Sequence, residues 1–189
     1  MNGAGGAHET LVAELREHAL VIGEVTLSSG QTAQYYVDAK RALLRPPAFR
    51  AAGELIAAEA REREATAVGG MTMGADPLAC AAIAAPGGED LVAFFVRKER
   101  KEHGLQRWIE GPPLEQGIRC LVVEDVVTTG GSTVSAIERI REEGLEVAGV
   151  VSVVDRLAGG DEAIATATDA PYRPLITIDE LYPDRPDLD

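Results

Sequence analysis

Apolar positions recur at helical spacing in two early segments. In 9–21, ETLVAELREHALV, they predict one amphipathic helix, and in 46–65, PPAFRAAGELIAAEAREREA, a stronger one whose leading prolines mark its start. Between them YYVDAK, 35–40, is a short strand candidate. Beyond Arg63 the texture changes. ATAVGG, DPLACAAIAA, DLVAFFV, IRCLVVED, TVSAIERIREEG and EVAGVVSVVD alternate short apolar runs, several rich in Val, with helix-period segments. That alternation predicts an α/β fold, a parallel sheet covered by helices on both faces. Its crossovers should be right-handed and its ligands should sit at the carboxyl ends of the strands. The residues just after each apolar run therefore carry the functional information.

Length and composition narrow the setting. A chain of 189 residues without repeats, low-complexity stretches or composition shifts reads as one domain over 1–189. With 46% hydrophobic and 26% charged residues, and apolar runs far short of a bilayer span, no membrane segment is expected. MNGAGGAHET has neither a basic start nor an apolar core, so it does not read as a signal peptide; residues 1–8 are expected to fray, and a cytoplasmic location follows. Cys80 and Cys120 lie in apolar stretches without the close pairing of a zinc or redox motif, and both are expected to be buried free thiols. Three scattered histidines predict no protein-built transition-metal site. A net charge of -13 argues against a nucleic-acid partner, yet a local cationic patch can still focus field on a small anion.

CLVVEDVVTTGGST, 120–133, is the most specific segment. A buried strand ends in Glu124 and Asp125, then passes through Val126 and Val127 into a Thr-Gly-Ser turn and a helix beginning near Ser132. Backbone N–H groups of Thr129, Gly130, Gly131 and Ser132, with the hydroxyls of Thr128, Thr129, Ser132 and Thr133, can wrap a phosphate at a helix N-terminus. The carboxylates before them can accept hydrogen bonds from vicinal sugar hydroxyls. The lysine of a nucleotide-hydrolysing P-loop is missing, and so is GxGxxG. The segment resembles the phosphoribosyl pyrophosphate (PRPP) motif of type I phosphoribosyltransferases.

The second segment gathers the chain's cations. Of three lysines, Lys98 and Lys101 fall within RKERKEHG, 97–104, beside Arg97, Arg100 and His103. Alone, such a run reads as a solvated charged face. Beside the PRPP motif, it resembles the catalytic-loop signature R-K-E-x-K-x-H-G of orotate phosphoribosyltransferases. Residues 98–111 carry no clear period and end in EGPP, so a mobile loop is expected there. The third segment, VVSVVDRLAGG, sets Arg156 after a strand, where a guanidinium fork suits a carboxylate; an Asp155/Arg156 surface pair is nearly as good a reading of the residues alone. The resemblance implies that Arg156 and Thr128 contact orotate. Upstream, VTLSSGQTAQYYVDAK, 25–40, is similar to the family's amino-terminal hood, in which Tyr35 and Tyr36 would cover the pyrimidine and the Ser29-Gly30 turn would offer backbone donors. Strand alternation sends at least one of the two rings to the core.

The resemblance runs from about Leu15 to Tyr182 and implies transfer of the phosphoribosyl group from PRPP to orotate in pyrimidine synthesis. It places PRPP against residues 124–132 and the cations Arg97, Lys98, Lys101 and His103, with Mg2+ chelated by PRPP rather than by protein side chains. Glu124 and Asp125 would offset charge developing on the ribose, and Lys101, ahead of His103, would protonate the leaving pyrophosphate. A homodimer is implied, with Arg97, Lys101 and His103 serving the partner's site and Lys98 its own. Two positions depart from the family: Ser28 and Gly74 stand where many members carry lysine. The TMGADP loop, 72–77, is expected to reach pyrophosphate through backbone N–H groups instead. A phosphoribosyltransferase for another base, or a non-catalytic PRPP-sensing regulator, are the competing readings; an unbroken catalytic loop and Arg156 weigh against both.

Overall fold

A computed structural model describes residues 3–26, 32–100 and 107–187. Along the chain run α1 (Gly3–His18), β1 (Leu20–Thr26), β2 (Thr32–Val37), α2 (Lys40–Leu43) and α3 (Pro46–Glu62). There follow β3 (Ala67–Met71), α4 (Asp76–Ala84), β4 (Val92–Val96), β5 (Ile109–Glu110), β6 (Arg119–Val127) and α5 (Gly131–Glu142). The chain closes with β7 (Glu146–Asp155), α6 (Gly160–Ala167), β8 (Tyr172–Thr177) and α7 (Ile178–Leu181). The main sheet has the order β5-β4-β3-β6-β7-β8, parallel throughout except for β5, which runs antiparallel to β4. Strands β1 and β2 form a separate antiparallel pair, the hood expected from the sequence.

Strand alternation divides the core into two layers. Leu121 and Val123 of β6 face a cluster built with Leu11 and Leu15 of α1, Ile56 of α3 and Leu78 of α4. Cys120 and Val122 face the other way, onto Ile137 and Ile140 of α5 and Ile164 of α6. Each layer buries several full-sized aliphatic side chains, worth roughly 1.5–3 kcal/mol apiece. The central strands are covered on both sides, which is why β7 is valine-rich and buried along nearly its whole length.

Four expectations need correction. The first helix begins at Gly3, not near residue 9, because Ala7 is buried and His8 Nε2 lies 3.2 Å from the Leu175 carbonyl oxygen. Tertiary contact there overrides the poor helix propensity of the glycines. The same helix stops at His18, since Leu20 is drawn into pairing with Val37. The stretch 98–111 is not all loop: Ile109 and Glu110 pair with Val96 and Phe95, and two residues are too few to display a strand period. Cys80 is exposed rather than buried, because α4 turns Leu78, Ala79, Ala81 and Ala82 to the core. Cys120 is buried as expected, and burial, with Glu146 nearby, pushes its thiol up to about 12.

Candidate active site

Strand β6 delivers two adjacent carboxylates to the carboxyl end of the sheet, and both are nearly buried, Glu124 at 4% exposure and Asp125 at 7%. Each has its own partners. Glu124 Oε2 accepts from Ser132 Oγ at 2.7 Å and from Thr133 Oγ1 at 3.3 Å. Asp125 Oδ1 accepts from the Val126 N–H at 3.0 Å, and Asp125 Oδ2 accepts from Lys40 Nζ at 2.8 Å. Burial raises the Glu124 carboxyl to about 7; the hydrogen bond from Ser132 opposes that shift and the charge of Asp125 adds to it. For Lys40, burial works against the charge, but the hydrogen bond and charge of Asp125, with Asp38 3.7 Å away, outweigh it and hold the ammonium above its usual range.

The turn after β6 is built for a ligand of opposite charge. Gly130 takes φ +77°, a left-handed conformation that caps α5 and that other residues adopt only at a cost. Thr129, Gly131 and Ser132 are exposed at the N-terminus of α5, whose first N–H groups point outward with the positive end of the helix dipole. The hydroxyls of Ser132 and buried Thr133 both donate to Glu124, so neither proton is free for a phosphate as the sequence suggested.

Beside the turn lies a cavity of about 160 Å³, lined by Tyr36, Val37, Lys40, Asp125, Thr128 and Arg156, among others. Arg156 follows β7 and donates its backbone N–H to the Val127 carbonyl. Among the described residues, its Nε–H is buried without a hydrogen-bond partner, while the side chain borders the cavity. Asp155 is not its surface partner. That carboxylate is 2% exposed, accepts from Tyr172 OH at 2.9 Å and from the Leu157 N–H at 2.8 Å, and so fixes the chain on either side of Arg156. The two tyrosines divide as alternation requires. Tyr36 faces the cavity, whereas Tyr35 does not line it: its buried ring lies 5.1 Å from the Arg156 guanidinium carbon, and its hydroxyl donates to Asp187. Burial chiefly raises the Tyr35 phenol, which stays neutral beneath Arg156.

A second cavity, about 370 Å³, is lined by Thr72, Phe95, Arg97, Lys98, Glu99 and Glu110. It places two of the predicted cations beside the turn between β3 and α4. That turn also touches the carboxylates. A Cβ built on Gly74 would stand 2.4 Å from Asp125 Oδ1 and 3.0 Å from Glu124 Oε1, so only glycine fits with the pair as it stands. Arg97 is anchored by Glu110 at 3.0 Å, while its carbonyl accepts from Arg139 at 2.8 Å. Lys101, His103, Ser28 and the Ser29-Gly30 turn lie outside the described residues.

Two contributors escaped the sequence reading. Lys40 is the cation on Asp125, and its signal was rarity, one of three lysines. Trp108, the sole tryptophan, is stacked by Arg139 at 4.4 Å and Arg100 at 5.4 Å and donates its indole N–H to Glu142, tying the loop's end to α5. A further cavity of about 250 Å³, between 107–116 and Glu143–Leu145, is lined by none of these site groups.

Comparison with known proteins places this arrangement. The family model of the phosphoribosyl transferase domain matches residues 40–176. An orotate phosphoribosyltransferase of Corynebacterium glutamicum (strain R) is 50% identical over 175 residues, covering 93% of this chain and 94% of its own. The crystal structure of Mycobacterium tuberculosis orotate phosphoribosyltransferase in complex with Fe(III) dicitrate superposes with a TM-score of 0.84 at 43% identity, covering 93% of this chain and 99% of that one. The same protein in complex with PRPP gives 0.79 at 38% identity, over 93% and 98% of the two chains.

Proposed function

The chain belongs to the phosphoribosyltransferase family, and we propose that it works as an orotate phosphoribosyltransferase, converting orotate and PRPP to orotidine 5′-monophosphate and pyrophosphate in pyrimidine synthesis. The observation that carries this reading is the meeting, at one end of the sheet, of the carboxylate pair, the phosphate turn and a small cavity holding Arg156. Each group answers one end of the two substrates. The 5′-phosphate enters the N-terminus of α5, the ribose hydroxyls meet Glu124 and Asp125, and the orotate carboxylate takes the guanidinium of Arg156, with Tyr36 and Thr128 against the ring.

In the reaction the bond from the anomeric carbon to pyrophosphate breaks, its electron pair leaving with the polyanion, as a ring nitrogen of orotate bonds to that carbon. Positive charge grows on the ribose. Asp125, aimed by Lys40, stabilises it, while Arg97 and Lys98 receive the departing anion together with Lys101 and His103. Among the described residues no group of three or more His, Cys, Asp or Glu is placed to cage a metal, and the carboxylate and hydroxyl oxygens facing the site are hard donors of the kind magnesium prefers. Bound with PRPP through the substrate's own oxygens, Mg2+ would neutralise leaving-group charge, with Glu124 and Asp125 available to its water shell.

A cytoplasmic homodimer completes the reading: Arg97, Lys101 and His103 serve the partner's site and Lys98 its own. Exposed Leu44, Met73 and Ile83 supply apolar surface for an interface, and among the described residues no helix is long and apolar enough to cross a membrane. A base panel tests the activity: with PRPP and magnesium, orotate should be consumed far faster than uracil, adenine or hypoxanthine, and a preference for one of those would reassign the base. Co-refolding inactive Lys101→Ala with inactive Asp125→Asn tests the shared loop. Half the dimers then hold one intact site, so about a quarter of native activity should return; no recovery would place each loop on its own subunit.

A further inference from the structure

Lys40 is presented by a rigid element. Ala39, Ala42 and Leu43 are buried around it, and the lysine reaches 85 positions along the chain to Asp125. Lys40 lines the cavity with a side chain 40% exposed, but its partner Asp125 is nearly buried, which sets the pair apart from one exposed on both sides, usually worth little. The orientation of the Asp125 carboxylate follows from three contacts. Its Oδ1 is held by the Val126 N–H and closed in by Gly74, leaving Oδ2 facing the cavity with Lys40. Glu124 points instead to the hydroxyls of Ser132 and Thr133.

We propose that Lys40 is a positioning residue of this site: its ammonium holds the Asp125 carboxylate aimed into the cavity, so that Asp125 is placed to accept hydrogen bonds from the ribose hydroxyls. The inference rests on the reading that the ribose of PRPP meets the acidic pair. The groups facing Asp125 are Glu124 beside it on β6, Lys40 with Asp38 behind it, Tyr36 from β2, and Arg156 after β7. Without Lys40, Asp125 loses the ammonium that contacts its Oδ2 at 2.8 Å, and its carboxylate is no longer held toward the cavity.

The test is PRPP binding by titration calorimetry at pH 7, on the full chain as wild type, Lys40→Met, Lys40→Arg, Asp125→Asn and the double variant Lys40→Met/Asp125→Asn, with thermal midpoints to confirm folding. Lys40→Gln replaces the methionine variant should that one not fold. Lys40→Met should bind PRPP about tenfold more weakly, and Lys40→Arg should restore most of the affinity. In the Asp125→Asn background Lys40→Met should cost little more, because the group it positions is gone. Equal affinity in Lys40→Met, the same loss with and without the Asp125 carboxylate, or no rescue by arginine overturns the positioning role while leaving the proposed function standing. Failure of the wild type to bind PRPP overturns both.

Discussion

Glu124 offers a prediction that needs no substrate. Its carboxyl is 4% exposed and raised from an ordinary 4.5 to about 7, first by burial and further by the charge of Asp125, against the hydrogen bond from Ser132. The folded chain therefore holds this proton more tightly than the unfolded chain does. The stability it contributes is complete below pH 4.5 and is lost as pH rises through 7. A displacement of that size corresponds to on the order of 3 kcal/mol, an upper figure because the pair titrates together. Glu124→Gln removes the titration and still offers a carbonyl oxygen to Ser132 and Thr133. Any cost of imperfect hydrogen bonding in the variant is the same at every pH. Urea unfolding of both proteins at intervals from pH 5 to 8 should show Glu124→Gln gaining on wild type by about 2–3 kcal/mol across the range. A difference between the two that does not change with pH would refute the argument that Glu124 is held protonated by its surroundings.

Arg156→Ala should raise the KM for orotate by about 10- to 100-fold, the worth of a charge-assisted hydrogen bond, with PRPP affinity nearly unchanged; initial rates at varied orotate and PRPP separate the two. Gly74→Val would drive its Cβ into Asp125 Oδ1, so the KM for PRPP should rise by about tenfold or more through displacement of the carboxylate, and an unchanged KM would remove the 72–77 turn from the site.

How much of this was legible follows from the range of each signal. From α3 to β7, apart from the two-residue β5, the order of helices and strands was readable because period and composition are local, and the central strands announce themselves by valine-rich runs that a doubly covered sheet requires. The phosphate turn was readable for the same reason: carboxylates, turn and helix N-terminus are contiguous in 120–133. Contacts between distant segments were not. Lys40 meets Asp125 across 85 residues, and Tyr35 is drawn beneath Arg156 and onto Asp187, so neither role shows in the local pattern. Gly74 is instructive in another way. The sequence marked it as a departure from the family, but only the packing reveals that a side chain there would collide with the acidic pair.

The central claim is tested most directly by following orotate absorbance in the presence of magnesium, with and without PRPP, while assaying pyrophosphate. The account predicts a loss of orotate that requires PRPP and is matched one for one by pyrophosphate and orotidine 5′-monophosphate. Orotate that persists in the presence of protein, magnesium and PRPP, with the wild type shown to be folded, would contradict it.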